Sequence, residues 1–256
     1  MYWSILVSLG LFAALLLGLE IGRRVGRAVG TDKEEVASGA ADGVIFAVFG
    51  LIIAFTFSTS ASRFDERRKL IVEQANALGT ASLRLDALDP ADRAPIRRLM
   101  IRWAQLAQRI PSVEDKAAMA AVVNDAAAVQ SEVWRLAAAA VERKQQAALW
   151  AFVMSPINDW TNLSTSRLAT IDRGTPPMVM PTVIALSFVA SVLAGFHMSR
   201  HRRSWLHCVA FSGILALVIY VILDLNHPRS GLIRVDAMDE TIKQAEQSLQ
   251  QAVGRE

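Results

Sequence analysis

Cysteine is almost missing from this sequence, charge is missing from its apolar runs, and no catalytic pattern occurs. One cysteine among 256 residues, Cys208, excludes an internal disulfide framework and a multi-cysteine metal site. It lies in an apolar run, where a thiol behaves as a small hydrophobe. No basic stripe interleaves with aromatics, so the formal charge of +3 implies no nucleic-acid surface. There is no Ser-His-Asp order, Gly-rich phosphate loop, paired His-Glu motif or thiol pair, and Ser60 and Ser62 have no histidine nearby in sequence. His197 and His201 lie four apart, as metal ligands can. No carboxylate or cysteine stands beside them in sequence, whereas Arg200, Arg202 and Arg203 do, which reads as an interfacial position. These absences argue against an enzyme and leave no catalytic residue, metal site or cofactor to expect.

Apolar residues are abundant: 53% of the chain is hydrophobic, concentrated in four blocks. A helix rises about 1.5 Å per residue and the bilayer core is roughly 30 Å thick, so a span needs about 20 apolar residues. Trp3–Leu19, Val44–Ala61, Met178–Met198 and Leu206–Leu225 approach or meet that length, and the only charge at their edges is Asp224. A charge at the bilayer centre costs at least about 2.5 kcal/mol, so its absence from all four is informative. A soluble all-helical core would rarely contain four such runs. The first run reads as a retained spanning helix and not as a signal peptide, with Arg23, Arg24 and Arg27 after it and no charge before it. Ser187, Ser191 and Gly195 in the third span, and Ser212 and Gly213 in the fourth, read as helix-packing faces. Pro176, Pro177 and Pro181 mark the entry to the third.

The predicted fold is therefore all-α: an integral membrane protein with four transmembrane helices and a helical soluble domain between spans two and three. Residues 1–61 hold the first two spans, 62–175 the soluble domain, 176–225 the last two spans, and 226–256 a loop and short helix. The second span is expected to run on as helix to about Leu88, with a second soluble helix over Asp92–Ile110. A long Ala-rich third follows, from about Val113 to Phe152. In it Met119, Val122, Ala126, Val129, Val133, Leu136, Ala140 and Val141 repeat at three and four, forming one packing face. The last helix, roughly Ala237–Val253, reads as polar without a strong apolar face.

The most informative stretch is Phe55 to Leu70, where span two leaves the bilayer. Phe55, Ser60, Arg63, Phe64, Glu66, Arg68, Lys69 and Leu70 match, in order and without a gap, a pattern of the bacterial bestrophins, a family of chloride-conducting channels. The chain resembles still more the bestrophin-like bacterial proteins. The residues that carry this are Glu73, Asn76, Gly79, Thr80 and Arg84, then Asp224, Pro228 and Gly231 after the last span. It departs from bestrophins at Thr56 and Asp65, where they carry Arg and an aromatic, and its soluble region is shorter.

The resemblance implies a homo-oligomer, most simply a pentamer, passing chloride through a shared axis, with membrane lipid, a second copy and inorganic ions as partners. Four spans are too few to enclose a pathway in one protomer. Val44, Val48, Ile52 and Phe55 share a face of span two and are the pore-lining candidates; bulky apolar side chains around an axis gate by dewetting, although such a stripe can equally pack on neighbouring helices. Arg63, Glu66, Arg67, Arg68 and Lys69 are the candidates for charge at the pore mouth; such cations can equally snorkel to lipid phosphates. Asp224 and the segment after it are expected against the exit of span two, near Arg63 and Arg68. The competing reading is a non-conducting membrane scaffold or sensor whose helical domain binds a partner. A multi-pass protein of the inner membrane follows from either. Short arginine-bearing loops on the far side argue for an external domain. The resemblance argues for a cytoplasmic one, and arginines on the domain side weaken the charge bias.

Overall fold

A computed structural model describes residues 2–29, 35–110, 115–172, 176, 178–200, 204–226 and 236–254. Among the described residues the chain forms eight α-helices and no strand: α1 Tyr2–Val29, α2 Glu35–Arg84, α3 Pro90–Arg109, α4 Lys116–Lys144, α5 Ala147–Asp172, α6 Val179–His197, α7 Trp205–Asn226 and α8 Asp236–Val253. Four stretches are long and apolar enough to cross a membrane: Ile5–Val29, Ala41–Ala87, Val179–His197 and Trp205–Asn226. The chain divides into two compact units, Met1–Phe64 with Gly174–Ile233, and Asp65–Arg173 with Arg234–Glu256.

In the first unit α1 packs along α6 and α7. Leu11, Leu15, Val183 and Ile219 form its core, with Ile52 and Ile53 of α2 partly buried against it. Apolar burial cannot by itself hold helices together in lipid, so close backbone approach must contribute. A side chain at Gly22 would collide with the Val192 carbonyl, and one at Gly195 with the Leu19 carbonyl. Ser191 Oγ donates to the Leu15 carbonyl at 2.6 Å. The α6 half of this seam, Ser191 and Gly195, is legible from sequence; the matching Gly18, Gly22 and Gly26 of α1 complete it. Near the end of α6, His197 Nε2 lies 3.0 Å from Asp42 Oδ2. A carboxylate does stand beside this histidine, from α2 and thus far away in sequence; His201 is outside the described residues.

In the second unit, Asp89 in extended backbone precedes Pro90 in the first turn of α3. The Asp115 carboxylate accepts from the amides of Ala117 and Ala118 to open α4. Val122, Ala126, Val129, Val133, Ala140 and Val141 are buried, with Met119 and Leu136 packed beside them, so the periodic face of α4 is its packing face. The long third helix is two. Gln145 takes φ 52°, ψ 31°, and α5 starts at Ala147 and packs along α4. A left-handed residue without glycine costs about 1–2 kcal/mol, which the hairpin packing offsets, so no local signal marks the break. Edge-to-face packing of Trp103 and Trp160 at 4.9 Å centres this core.

The last helix also departs from its sequence reading. Ile242 and Leu249 are fully buried, with Ala245 packed between them. They lie three and four apart and form a narrow apolar stripe. Glu246 accepts from Gln105 at 2.9 Å and Gln108 at 2.6 Å, fixing α8 on α3.

The seam of α1 and α6 makes a sharp prediction. Gly22→Leu sets a side chain against backbone that cannot move aside, and should destabilise the detergent-solubilised protein by about 3 kcal/mol. Gly213→Ala, whose added carbon meets only Phe12 at 3.9 Å, should leave the melting temperature nearly unchanged. Equal melting temperatures would refute the seam.

Candidate functional site

The candidate site is the open face of α2. Its 50 residues make a helix of about 75 Å, far longer than a bilayer core needs. In the first unit Val44, Val48 and Phe55 are 62%, 51% and 65% exposed, whereas Ile52 is half-buried against the core of the unit. Leu51, 54% exposed, takes the place on the open face that the sequence reading gave to Ile52. Steps of four, three and four therefore describe the apolar face: Val44, Val48, Leu51, Phe55. The same progression continues through Ser58 and Ser62, both exposed. Thr56 turns inward and donates to its own helix at the Ile52 carbonyl, 2.7 Å away.

Within the second unit, α2 exposes Asp65, Glu66, Arg68, Lys69, Asn76 and Thr80. Lys69 pairs with Glu73 at 3.7 Å, one turn on. Arg63 and Arg67 are half-buried, and Arg67 donates to the Thr170 carbonyl of α5 at 3.4 Å. Arg84 donates to the Phe152 carbonyl at 3.1 Å and lies 4.9 Å over the Phe152 ring, tying α2 to α5. Gly79 is partly open, and a methyl group there would meet nothing. Thr80 and Asn76 bond only along the helix, at 2.9 Å.

Behind this face α2 is anchored by polar contacts. In the first unit, Asn226 at the end of α7 donates to Ser60 Oγ at 3.1 Å, and Ser60 is buried. Asp224, 0% exposed, accepts from the Tyr220 hydroxyl. The end of span four thus meets the exit of span two at Ser60, a turn before Arg63. Arg68 is exposed in the other unit, and Pro228 and Gly231 lie outside the described residues. In the second unit Gln74 donates to Ser164 Oγ at 2.7 Å, as does Gln130. Arg167 donates to Gln74 Oε1 at 2.9 Å. All four side chains are buried.

Sequence reasoning missed this network. The available signal was a glutamine at a core position: Gln74 lies between Ile71 and Leu78 on the buried face of α2. Among the described residues, no three His, Cys, Asp or Glu side chains gather as a metal would need.

Removing Gln74 takes an acceptor from a buried guanidinium and a donor from Ser164. Gln74→Ala should cost about 2–3 kcal/mol of stability, and the exposed Thr80→Ala under about 0.5 kcal/mol, by thermal melting. Equal losses would contradict the network.

The fold has counterparts among solved structures. Two crystal structures of a bacterial bestrophin homologue from Klebsiella pneumoniae, one a tryptophan-to-alanine variant, align with TM-scores of 0.74 and 0.72 at 12% and 13% identity; each covers 96% of this chain and 98% of the other. A membrane protein with a proline-to-alanine change aligns at TM-score 0.72 and 13% identity, over 97% and 99% of the two chains. No curated protein sequence matches. A model of the Bestrophin-like domain matches residues 5–238, nearly the whole chain, and the chain therefore belongs to the bestrophin-like family.

Proposed function

We propose that this chain is one subunit of a homo-oligomeric ion channel of the inner membrane, most simply a pentamer, with the open face of α2 around the axis. The observation that carries this reading is the continuity of that face. A helix face turned to lipid has use for Val44, Val48, Leu51 and Phe55, but not for the exposed hydroxyls of Ser58 and Ser62 that follow. Both classes suit a path that begins as an apolar neck and opens into water. Between Val44 and Ser62 the helix carries no charge, so the narrowest part is a dewetting gate and not a charged filter.

Selectivity then arises past the neck. Arg68 and Lys69, both exposed, with Arg63 a turn earlier, would raise local anion concentration when repeated by symmetry. That supports chloride and other small anions. A second reading has one observation in its favour. Steps of three and four from Phe55 through Thr59 and Ser62 lead to Glu66, Lys69 and Glu73, and Arg67 is drawn aside by Thr170. With Lys69 held by Glu73, Glu66 on that face would favour cations.

In planar bilayers, Val48→Ala should raise open probability several-fold with ion preference unchanged. Arg68→Glu should move the reversal potential toward cations in asymmetric salt. A wild-type reversal potential already at the cation limit, displaced by Glu66→Gln, would establish the second reading. Absence of current at every voltage and pH would remove conduction altogether.

A further inference from the structure

The first unit contains a chamber that the conduction reading does not use. It lies between α1, the end of α6 and the start of α7, with a volume of about 660 Å³. This falls within the roughly 300–1,000 Å³ typical of small-molecule sites. Its walls are apolar, built by Ala13, Leu16, Leu17, Leu19 and Cys208, with Gly195 on the α6 side. Its polar groups are few and of one kind of place: Glu20 and Arg23 toward the end of α1, Ser204 and His207 at the start of α7. An apolar groove, open along part of its length and with polar groups at one end, within membrane-spanning helices, matches the pattern of an amphiphile.

Four further features fix which amphiphile. Trp205, 59% exposed, lines the chamber at the first residue of α7, where an indole sits at headgroup depth. Arg23 lines the groove and is 6% exposed, so its charge is held close to the site by the protein and not spread into solvent. Ser204 Oγ lies 2.7 Å from His207 Nδ1, which orders both groups at the mouth. The surrounding charge is cationic: from Glu20 to Val29 the sequence has three arginines against one acid, and Glu20 already accepts from Arg24 at 3.1 Å. A zwitterionic headgroup gains little from such a field, whereas an anionic one gains about 1 kcal/mol for each cation nearby.

We propose that this chamber is a binding site for an anionic glycerophospholipid, taking one acyl chain between Leu16, Leu17 and Cys208 and its phosphate at Arg23, Ser204 and His207. A phosphate oxygen pair matches the two parallel N–H groups of a guanidinium, so Arg23 supplies both charge and orientation. The site lies wholly in the first unit and does not depend on whether the protein conducts.

Native mass spectrometry of the full chain, in detergent with an equimolar mixture of phosphatidylglycerol and phosphatidylcholine, tests the proposal. Phosphatidylglycerol should be retained about tenfold over phosphatidylcholine, and Arg23→Gln should abolish the preference. Because Arg23→Gln could unfold the helix end, Ala13→Phe offers a second arm: it fills the chamber without touching the charges, and should lower retention of both lipids. Cys208, the sole cysteine, gives an independent readout, since phosphatidylglycerol should slow its alkylation by a small maleimide while inorganic phosphate should not. Equal retention of the two lipids by the wild type would overturn the proposal. So would protection of Cys208 by phosphate alone, or protection only on forming the oligomer without lipid, which would mean that a second copy fills the space.

Discussion

The backbone contact between α1 and α6 is the constraint on which the membrane unit rests. With Gly22 against the Val192 carbonyl and Gly195 against Leu19, the two helices approach more closely than any side chain would allow. Lipid gives no hydrophobic drive to bring helices together, so this seam, the Ser191 bond and the small core around Leu15 must hold the unit. α7 joins from the α1 side. α2 contributes Ile52 and Ile53 inward and leaves Val44, Val48, Leu51 and Phe55 facing out. A protomer held together by other helices can leave one face of a helix open for association with further copies.

Polar groups behind the open face keep α2 from rotating. The Ser60–Asn226 bond in one unit, and the Gln74–Ser164–Arg167 network in the other, are each made only in one register of the helix. A turn of a single residue, about 100°, would bury charge and expose these groups to apolar surroundings, at a cost of several kcal/mol. The buried side of α2 thereby fixes which residues its open side presents.

How much of this was legible in sequence differs from part to part, for physical reasons. The four spans, the run-on of α2 and the packing face of α4 declare themselves through long apolar blocks and a repeat of three and four. The break at Gln145 does not, because neither residue at the turn prefers left-handed backbone. α8 hides its stripe, since Ile242 and Leu249 are diluted by polar residues and gain meaning only against α3. At the site, three of four apolar positions read from spacing are open, and Ile52 is displaced by Leu51. Four-residue steps drift by 40° each around the helix, and an alternation with three corrects the drift. His197 and Asp42 could not be joined from sequence, being 155 residues apart (197 − 42) on different helices.

The central claim is that the open face of α2 meets its own copies while the outer face of α1 meets lipid. Disulfide crosslinking in native membranes, on a Cys208→Ser background, tests it most directly. A cysteine at Val48 should give covalent dimers and higher ladders, and one at Leu17, 63% exposed on the protomer against 51% for Val48, should give none. Crosslinks at Leu17 with none at Val48 would place α2 in lipid and contradict the account.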